Sequence, residues 1–290
     1  MSVLLGAVAY DPKVVTIWDG FRSWLRESGL DFDYVLYSNY ERQVTDLVDG
    51  RVDVAWNSPL AWVRARRLAA SRGVPLTPVT MRDTDCDLRS VIVVRADSPV
   101  RSVSELAGHI VATGAVDSPQ ATLLPLSLLR AAGLDPAADV AVRRFDIGVG
   151  LHGDHIGGER DAARALFAAD PADRVDAACM IDSNLLLFGR EGTLPAGSVR
   201  VLAQTPLYDH CTMTAHGDAS PGISRLAGLL LGMDYADAGL RPLLDLEGLK
   251  QWRPPRLSGY AQLERAVDEA GFYDADGAVT AAGYRPLWQP

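Results

Sequence analysis

Apolar strand-like runs alternate with amphipathic helix-like runs from the start of the chain, and this rhythm limits the folds open to it. A strand-like run at residues 3–10 precedes an amphipathic run at residues 12–29, which begins at a proline and ends at a glycine. The order then repeats, and the third helix opens on Pro59, a residue suited to a first helical turn. Strands that alternate with helices form parallel sheets covered on both faces. The sequence therefore predicts an α/β fold.

A second strand-helix series begins with the strongly β-branched run RSVIVVRAD and is followed by a helix-rich tail. Two such series predict two lobes, and the chain would cross between them near residues 88–97 and 199–210. A ligand would lie in the cleft between the lobes, beside strand ends and helix starts. We expect lobe 1 to contain residues 1–88 and 207–290, and lobe 2 to contain residues 89–206.

The bulk composition excludes several classes of protein. A net charge of -9 argues against non-specific nucleic-acid binding. No apolar run reaches the roughly 18 residues of a membrane span, so we predict none. The first residues, MSVLLGAVAYDPK, lack a basic segment and read as a strand, which favours a cytoplasmic location. A periplasmic protein or a lipoprotein is expected only if a leader has been removed. Three scattered cysteines argue against a disulfide framework.

The stretch VATGAVDSPQATLLPLSLL is the best candidate for an anion site. A strand ends at Gly114, Asp117 or Ser118 can cap the following helix, and a proline fits its first turn. Free backbone N–H groups, the hydroxyls of Ser118 and Thr122 and the amide of Gln120 could then form a cradle for an oxyanion. An ordinarily capped helix start is the plainer alternative.

Two further strand-to-helix junctions offer polar side chains. Asn57 and Ser58 stand between a strand end and a proline in lobe 1, where they could face the cleft or merely cap the helix. Asp182 stands at the end of the strand DAACMID, where it could accept from an ammonium or hydroxyl group of the ligand. Capping its own helix is an equally good role for Asp182.

Two histidines three residues apart, His152 and His155, lie near Asp154 and Glu159 in the stretch GLHGDHIGGERDAARAL. The group resembles a metal cluster. A glycine separates the histidines, so they do not share a helical face, and the i, i+4 spacing of HExxH is absent. A zinc site would have to recruit His210 or Cys211 from across the cleft. We therefore predict no metal site and no cofactor.

The two histidines are expected to play different roles. His155 would donate a hydrogen bond or a charge to an oxyanion at the start of a helix over residues 157–170, and His152 would be a solvated loop residue. Cys211 directly follows His210, so in a strand their side chains would point apart. A Cys–His nucleophile pair would then need His155 or another partner from elsewhere in the fold.

Several motifs, in the same order, resemble the substrate-binding protein family of phosphate, phosphite and phosphonate ABC transporters, over roughly residues 3 to 272. The matching segments are VDVAWNSPLAWVRA, RSVIVVRADSPVRSVSELAGHIVA, DSPQATLLPLSLL, GDHIGGERDAARAL and LLDLEGLKQWRPPRLSGYAQL. The resemblance implies the two-lobed type II periplasmic-binding-protein fold, with His155 in the place of the family's histidine.

The chain departs from the family in its phosphonate loop. The family's Ser-Thr-Ser-Gly is replaced by Ser118-Pro119-Gln120-Ala121, with Thr122 next, so one hydroxyl is lost and an amide is gained. A doubly charged phosphonate favours several short donors, whereas Gln120 can also accept a hydrogen bond. The loop could thus suit a carboxylate, a sulfur oxyanion or a neutral polar group.

Two functions remain open on this scaffold. The first is binding of a small anionic or zwitterionic ligand, phosphonate-like or phosphate-like, by a monomer or dimer that would serve an ABC permease if exported. The ligand-binding residues would be Tyr10, Asn57, Ser58, Ser118, Gln120, Thr122, His155 and Asp182. The second is a cytoplasmic enzyme that uses His155 with His210 or Cys211 for acid-base or nucleophilic chemistry. A ligand sensor is a third, plainer possibility.

Overall fold

The structure is a computed structural model that describes residues 2–285 of the 290-residue chain. The first strand-helix series comprises β1 (Val3–Val8), α1 (Lys13–Glu27), β2 (Phe32–Tyr37), α2 (Tyr40–Val48), β3 (Val54–Asn57), α3 (Pro59–Ser71) and β4 (Leu76–Arg82). The second comprises β5 (Ser90–Arg95), β6 (Ile110–Thr113), α4 (Leu124–Ala131), β7 (Ala141–Arg144), α5 (Gly157–Ala165), β8 (Ala177–Ile181), α6 (Asp182–Arg190) and β9 (Val199–Gln204). The tail comprises β10 (Thr212–His216), α7 (Pro221–Leu231), α8 (Arg241–Glu247), β11 (Trp252–Arg253) and α9 (Ala261–Ala270). The predicted α/β alternation is therefore present.

Each lobe is built on one mixed sheet. The sheet of lobe 1 has the order β11-β4-β10-β3-β1-β2, and that of lobe 2 has the order β7-β6-β8-β5-β9. Strand β1 is parallel to β2 and β3, and β6 is parallel to β7 and β8. The strands that enter from the other lobe, β5 and β10, are antiparallel to their neighbours. The expectation of a wholly parallel sheet is thus wrong at these two strands, and also at the short β11, which is antiparallel to β4.

The two segments that join the lobes run side by side. One connector links β4 to β5 and the other links β9 to β10. Leu88 and Tyr208 form an antiparallel bridge in which each backbone N–H donates to the other's carbonyl over 2.9 Å. The predicted lobe boundaries at 88/89 and 206/207 fall in these connectors, and they remain a prediction.

Helix α1 shows how the sequence pattern places the helices on the sheets. Its buried side chains recur at helical spacing and form one apolar stripe against the sheet; they are Val14, Ile17, Trp18, Phe21 and Leu25. The tail does more than cover lobe 1. Helix α9 packs against α3 of lobe 1 and α4 of lobe 2, where Leu263 and Val267 join one apolar cluster with Leu60 and Leu124. This cluster holds the lobes together beside the connectors.

The stretch GISRLAGLLLGMDYADAGLRPLLDL of the tail reads as one long helical run, but the structure divides it into two helices. Helix α7 ends at Leu231 and α8 begins at Arg241. In the segment between them, the Asp234 carboxylate accepts from Ala236 N over 2.8 Å and Asp237 accepts from Gly239 N over 2.7 Å. Aspartate side chains that bind nearby backbone in this way compete with helical hydrogen bonds. No helix within residues 2–285 is long and apolar enough to cross a membrane.

Candidate functional site

A loop of lobe 2, residues 148–155, reaches lobe 1 and forms the centre of the site; we call it the crossing loop. Its backbone carbonyl at Gly150 accepts from Tyr40 N at the start of α2 over 3.1 Å. Three of its glycines have positive φ, and so does His152 at 50°, a conformation uncommon for a residue with a Cβ. The backbone thereby turns the His152 side chain toward lobe 1.

His152 is fully buried and joins the two lobes. Its Nδ1 lies 2.7 Å from Ser58 Oγ, and its Nε2 lies 2.8 Å from Glu41 Oε1. The ring stacks on Tyr40 with centroids 4.7 Å apart. The prediction that His152 is a solvated loop residue is therefore wrong, because the positive φ of the loop directs it inward. Glu41 also accepts from Tyr273 Oη over 3.0 Å.

Two buried acids hold this arrangement, and their pKa values are shifted in opposite directions. Burial alone would raise the pKa of Glu41, but the charge and hydrogen bond of His152 outweigh it and lower that pKa. Asp117 accepts from Gly150 N over 2.6 Å and from His152 N over 3.1 Å, so it fixes the backbone of the crossing loop. Burial raises the pKa of Asp117.

The predicted anion cradle at residues 118–122 is closed in this structure. Ser118 Oγ accepts from Ala121 N over 3.1 Å and so caps the turn, while Thr122 Oγ1 donates to Ala115 O over 2.7 Å. The N–H groups of Thr122 and Leu123 both donate to Ser118 O. The crossing loop lies against this turn at Gly153, where a Cβ would clash with Ser118 Oγ. Several of the donors that were expected to hold an oxyanion are thus used within the turn, and the side-chain amide of Gln120 donates to the crossing loop instead.

Gln120 and Glu159 supply the acceptors on the lobe 2 side. Gln120 Nε2 donates to Gly153 O over 2.7 Å, and its buried Oε1 has no partner among the described residues. Glu159 Oε2 accepts from Ile181 N over 3.0 Å and from Asn184 Nδ2 over 2.8 Å, and its buried Oε1 is likewise unpartnered among the described residues. Burial raises the pKa of Glu159 to about 7.

Sequence reasoning did not select Glu159 as a ligand residue, although a signal was present. Glu159, Ala162, Ala163 and Leu166 are all buried, so the carboxylate occupies a position in the apolar stripe of α5. Buried acids are rare unless they are paired. A glutamate at such a position of an amphipathic helix therefore marks a residue with a task other than packing.

The lobe 1 side is dominated by a buried arginine that the sequence did not single out. Arg82 Nε and Nη2 donate to the two Asp85 oxygens over 2.6 and 2.9 Å, and Nη1 donates to Glu247 Oε1 over 3.1 Å. Its guanidinium carbon lies 5.2 Å from the centre of the Trp56 ring. Burial acts against the Asp85 charge, but Arg82 outweighs it and lowers the pKa of Asp85 to about 2. Burial raises the pKa of Glu247 to about 7.

His210 and Cys211 adjoin this arginine cluster, and the structure corrects their predicted orientation. Both precede strand β10, so the alternation of a strand does not apply, and His210 Nδ1 lies 3.1 Å from Cys211 Sγ. His210 Nδ1 is also 3.5 Å from Asp85 Oδ1. His210 Nε2 is buried and without a partner among the described residues. Burial, then the charges of Asp154 and Asp85, raises the pKa of the Cys211 thiol.

Tyrosines connect the arginine cluster to the crossing loop. Tyr40 Oη donates to the Asp154 carboxylate of the loop. Half-buried Tyr10 has a pKa raised by burial and then by the charges of Glu247 and Asp154. Asp154 itself has a pKa raised by burial and opposed by the charges of His210 and Arg82. The set thus converges from both lobes, and the structure brings Tyr10, Gln120, His210 and Cys211 into it or next to it.

Other predicted site residues lie elsewhere or are occupied. His155 is exposed, and its Nδ1 accepts from Gly157 N of its own loop over 3.1 Å. Asp182 is the first residue of α6 and accepts from Ser183 N over 2.8 Å. Ser58 Oγ caps α3 by accepting from Ala61 N over 3.1 Å. Asn57 Oδ1 accepts from Gln43 Nε2 over 3.0 Å, while its buried Nδ2 has no partner among the described residues.

The converged groups are enclosed between the lobes. An open groove of about 810 Å³ lies elsewhere, along α3 and α9, and none of the converged residues lines it. Around Arg82 and His210 lie four further buried or half-buried carboxyl groups; they are Asp85, Asp154, Glu159 and Glu247. The arrangement can accept hydrogen bonds from a cationic group at the Glu159 end and can place an anionic group near Arg82 or His210.

Comparisons with known proteins agree with this architecture. The sequence profile of the family described as "ABC transporter, phosphonate, periplasmic substrate-binding protein" matches residues 7–260. A search of curated proteins found no match.

Solved structures share the fold of this chain. PhnD1 from Prochlorococcus marinus, in complex with methylphosphonate, superposes with a TM-score of 0.67 at 19% identity, covering 93% of this chain and 98% of that one. XAC2383 from Xanthomonas citri, bound to ATP, superposes with a TM-score of 0.65 at 21% identity, covering 92% of this chain and 97% of that one. The aliphatic sulphonate binding protein SsuA from Escherichia coli gives 0.55 at 20% identity, covering 92% and 90%. These similarities confirm the predicted two-lobed fold.

Proposed function

Because the chain belongs to the family of periplasmic substrate-binding proteins of phosphonate ABC transporters, we propose that it binds a small polar ligand in the cleft between its lobes. The observation that carries the proposal is the convergence of buried polar atoms that lack partners among the described residues. Gln120 Oε1 and Glu159 Oε1 come from lobe 2, and His210 Nε2 comes from lobe 1. A buried polar atom without a partner is costly, and a ligand that satisfies several such atoms recovers that cost on binding.

The charges favour a zwitterion over a plain dianion. The two unpartnered lobe 2 atoms are both acceptors, so that end suits an ammonium or another donor. Arg82 and the unpartnered Nε2 of His210 lie at the other end, where an oxyanion would accept hydrogen bonds. A phosphonate dianion without a donor group would leave the acceptors of Gln120 and Glu159 without a hydrogen-bond donor.

The ligands of the fold relatives support an oxyanion at one end. Methylphosphonate in PhnD1 and the aliphatic sulphonates named for SsuA are small tetrahedral anions with an organic substituent. The family's description also supports an ABC permease as partner, and it describes periplasmic proteins. A cytoplasmic location, and a monomeric or dimeric state, stay predictions for this chain.

The enzyme alternative is less well supported. It requires His155 to act with His210 or Cys211, but His155 is exposed and its ring nitrogen accepts a hydrogen bond from its own loop. The family match and the fold relatives describe binding proteins, so they favour binding over catalysis.

Isothermal titration tests the proposal. We expect 2-aminoethylphosphonate or taurine to bind at least about tenfold more tightly than methylphosphonate or phosphate, since one satisfied charge-assisted hydrogen bond contributes about 1.5–3 kcal/mol. Replacing Glu159 by glutamine should remove most of this preference, whereas His155→Asn, at an exposed site, should leave it unchanged. Heat-silent titrations with all four compounds, on correctly folded protein, would contradict the proposed function.

A further inference from the structure

The two connectors between the lobes bring three metal-binding side chains together. Asp85 lies in the first connector, and His210 and Cys211 lie in the second. The connectors are fixed to each other here, because His210 N donates to Asp85 O over 2.8 Å and Cys211 N donates to Asp85 Oδ1 over 3.2 Å. All three side chains are buried, and one ligand atom from each lies within 4.8 Å of the other two.

We propose that Asp85, His210 and Cys211 bind a divalent transition-metal ion of the zinc class. Tetrahedral bonds of about 2.0 Å to nitrogen and oxygen and about 2.3 Å to sulfur place the ligand atoms about 3.3–3.5 Å apart. The observed separations from His210 Nδ1 are 3.1 Å to Cys211 Sγ and 3.5 Å to Asp85 Oδ1. Both separations lie close to the tetrahedral values, and one Asp85 oxygen lies within 4.8 Å of Cys211 Sγ.

The supporting contacts match those that hold metal ligands in place. Ligating carboxylates are usually hydrogen-bonded in turn, and such outer contacts orient them. Arg82 donates hydrogen bonds to both oxygens of Asp85. The backbone of His210 is fixed because its carbonyl accepts from Tyr260 Oη over 2.9 Å. The site is thus preorganised rather than assembled from mobile chains.

Charge and ligand type indicate the class of ion. The charge of Arg82 is already matched by Asp85, and Asp154 and Glu247 are further carboxyl groups near the cluster. A dication binds the thiolate form of Cys211, so its binding deprotonates the thiol and releases one proton. Thiolate with imidazole favours zinc-like ions over calcium or magnesium, which prefer oxygen ligands. Three protein ligands leave a fourth position open to another ligand.

This site differs from the metal clusters considered from the sequence, where no metal was predicted. Among the residues that the structure describes, no group of three such ligand atoms includes His152 or His155. His152 is instead occupied by Ser58 and Glu41. The adjacent residues His210 and Cys211 can both contribute ligand atoms because they precede strand β10 and both side chains lie beside Asp85.

Cobalt titration of the chelator-treated full chain tests the proposal. We expect one equivalent of Co²⁺ to produce a thiolate-to-cobalt charge-transfer absorption that zinc abolishes by competition. Cys211→Ser should lose the band and weaken zinc binding by at least about 100-fold. Cys86→Ser is the matched control, because this half-buried thiol is outside the cluster, and it should keep the band.

Two results would overturn the proposal: a wild-type chain that takes up neither ion, or a charge-transfer band that persists in Cys211→Ser. Circular dichroism checks the fold of each variant. If Cys211→Ser does not fold, His210→Gln replaces it. Competition for zinc between the wild-type chain and a chromophoric chelator also tests the proposal without any variant. Neither titration uses an organic ligand, so a negative result leaves the proposed ligand-binding function standing.

Discussion

Two serine-proline helix starts approach the crossing loop from opposite lobes, and they are satisfied in different ways. Ser58 and Ser118 each cap a following N–H over 3.1 Å. Ser58 makes a second bond, to His152 Nδ1, whereas Ser118 is only covered by the glycine backbone of the loop. The same dipeptide thus joins the two lobes at one junction and closes a turn at the other. The serine-proline pattern predicts the helix cap, but whether the serine also joins the two lobes depends on the residue that packs against it, which is His152 for Ser58.

The buried acids near the two helix starts also differ, because one is paired within the fold and the other is not. Glu41, on the lobe 1 side, is paired with His152, which lowers its pKa. Glu159, on the lobe 2 side, has amide and backbone donors but no paired cation among residues 2–285, and burial raises its pKa to about 7. The fold therefore stabilises the charged form of Glu41, whereas burial favours the protonated form of Glu159.

The largest expected effect tests the lobe 1 junction. His152→Ala removes the bonds to Ser58 and Glu41 and the stack on Tyr40, and it leaves the buried Glu41 carboxylate short of a partner. We expect the free energy of unfolding to fall by about 4 kcal/mol, as when one member of a buried pair is deleted. Urea unfolding measures it.

The matched control is the neighbouring histidine. His155→Ala removes an exposed ring, so its effect should stay within about 0.5 kcal/mol. Equal losses in the two variants would contradict the distinction between a buried linking histidine and an exposed one.

The next effect tests the lobe 2 acid through pH. The pKa of Glu159 is raised from 4.5 to about 7 in the folded chain, so the folded state holds more protons between these values. The free energy of unfolding should therefore fall as pH rises through this window, by about 3 kcal/mol in total. Glu159→Gln should remove that loss and be most stabilising near pH 8.

The difference between wild type and Glu159→Gln isolates this residue, because Glu247 has a similar raised pKa and contributes equally to both proteins. Urea unfolding at several pH values between about 4.5 and 8 supplies the two curves. A difference that does not change with pH would show that the Glu159 carboxylate ionises normally in the folded chain.

Regular patterns predicted the fold, and local capping rules predicted part of the site. The alternation of strands and helices identified both lobes, and the prolines that follow Ser58 and Ser118 marked two helix starts. The antiparallel strands were not foreseeable from alternation, since direction depends on which end of a sheet the returning chain enters. The arginine cluster was also beyond local reasoning, because Arg82 meets Glu247 across 165 residues of sequence.

The exchange of roles between His152 and His155 has a backbone cause. Both histidines lie in the same glycine-rich loop, and neither hydrophobic periodicity nor spacing distinguishes them. The positive φ at His152 turns it inward, where Ser58 and Glu41 receive it. Such a conformation is set by the loop's long-range anchors, chiefly Asp117, and not by its own sequence. Glu159, in contrast, could have been found from its place in the apolar stripe of α5.

The smallest expected effect compares the two serines directly. Ser118→Ala removes a helix cap and should lower the free energy of unfolding by about 1 kcal/mol. Ser58→Ala removes an equivalent cap together with the bond to buried His152, so we expect about 2 kcal/mol. In the His152→Ala background Ser58→Ala should cost only the cap, and a double-mutant cycle measured by urea unfolding gives the coupling. If the two serines cost the same in the wild-type background and no coupling is found, the bond between Ser58 and His152 contributes nothing to holding the lobes together.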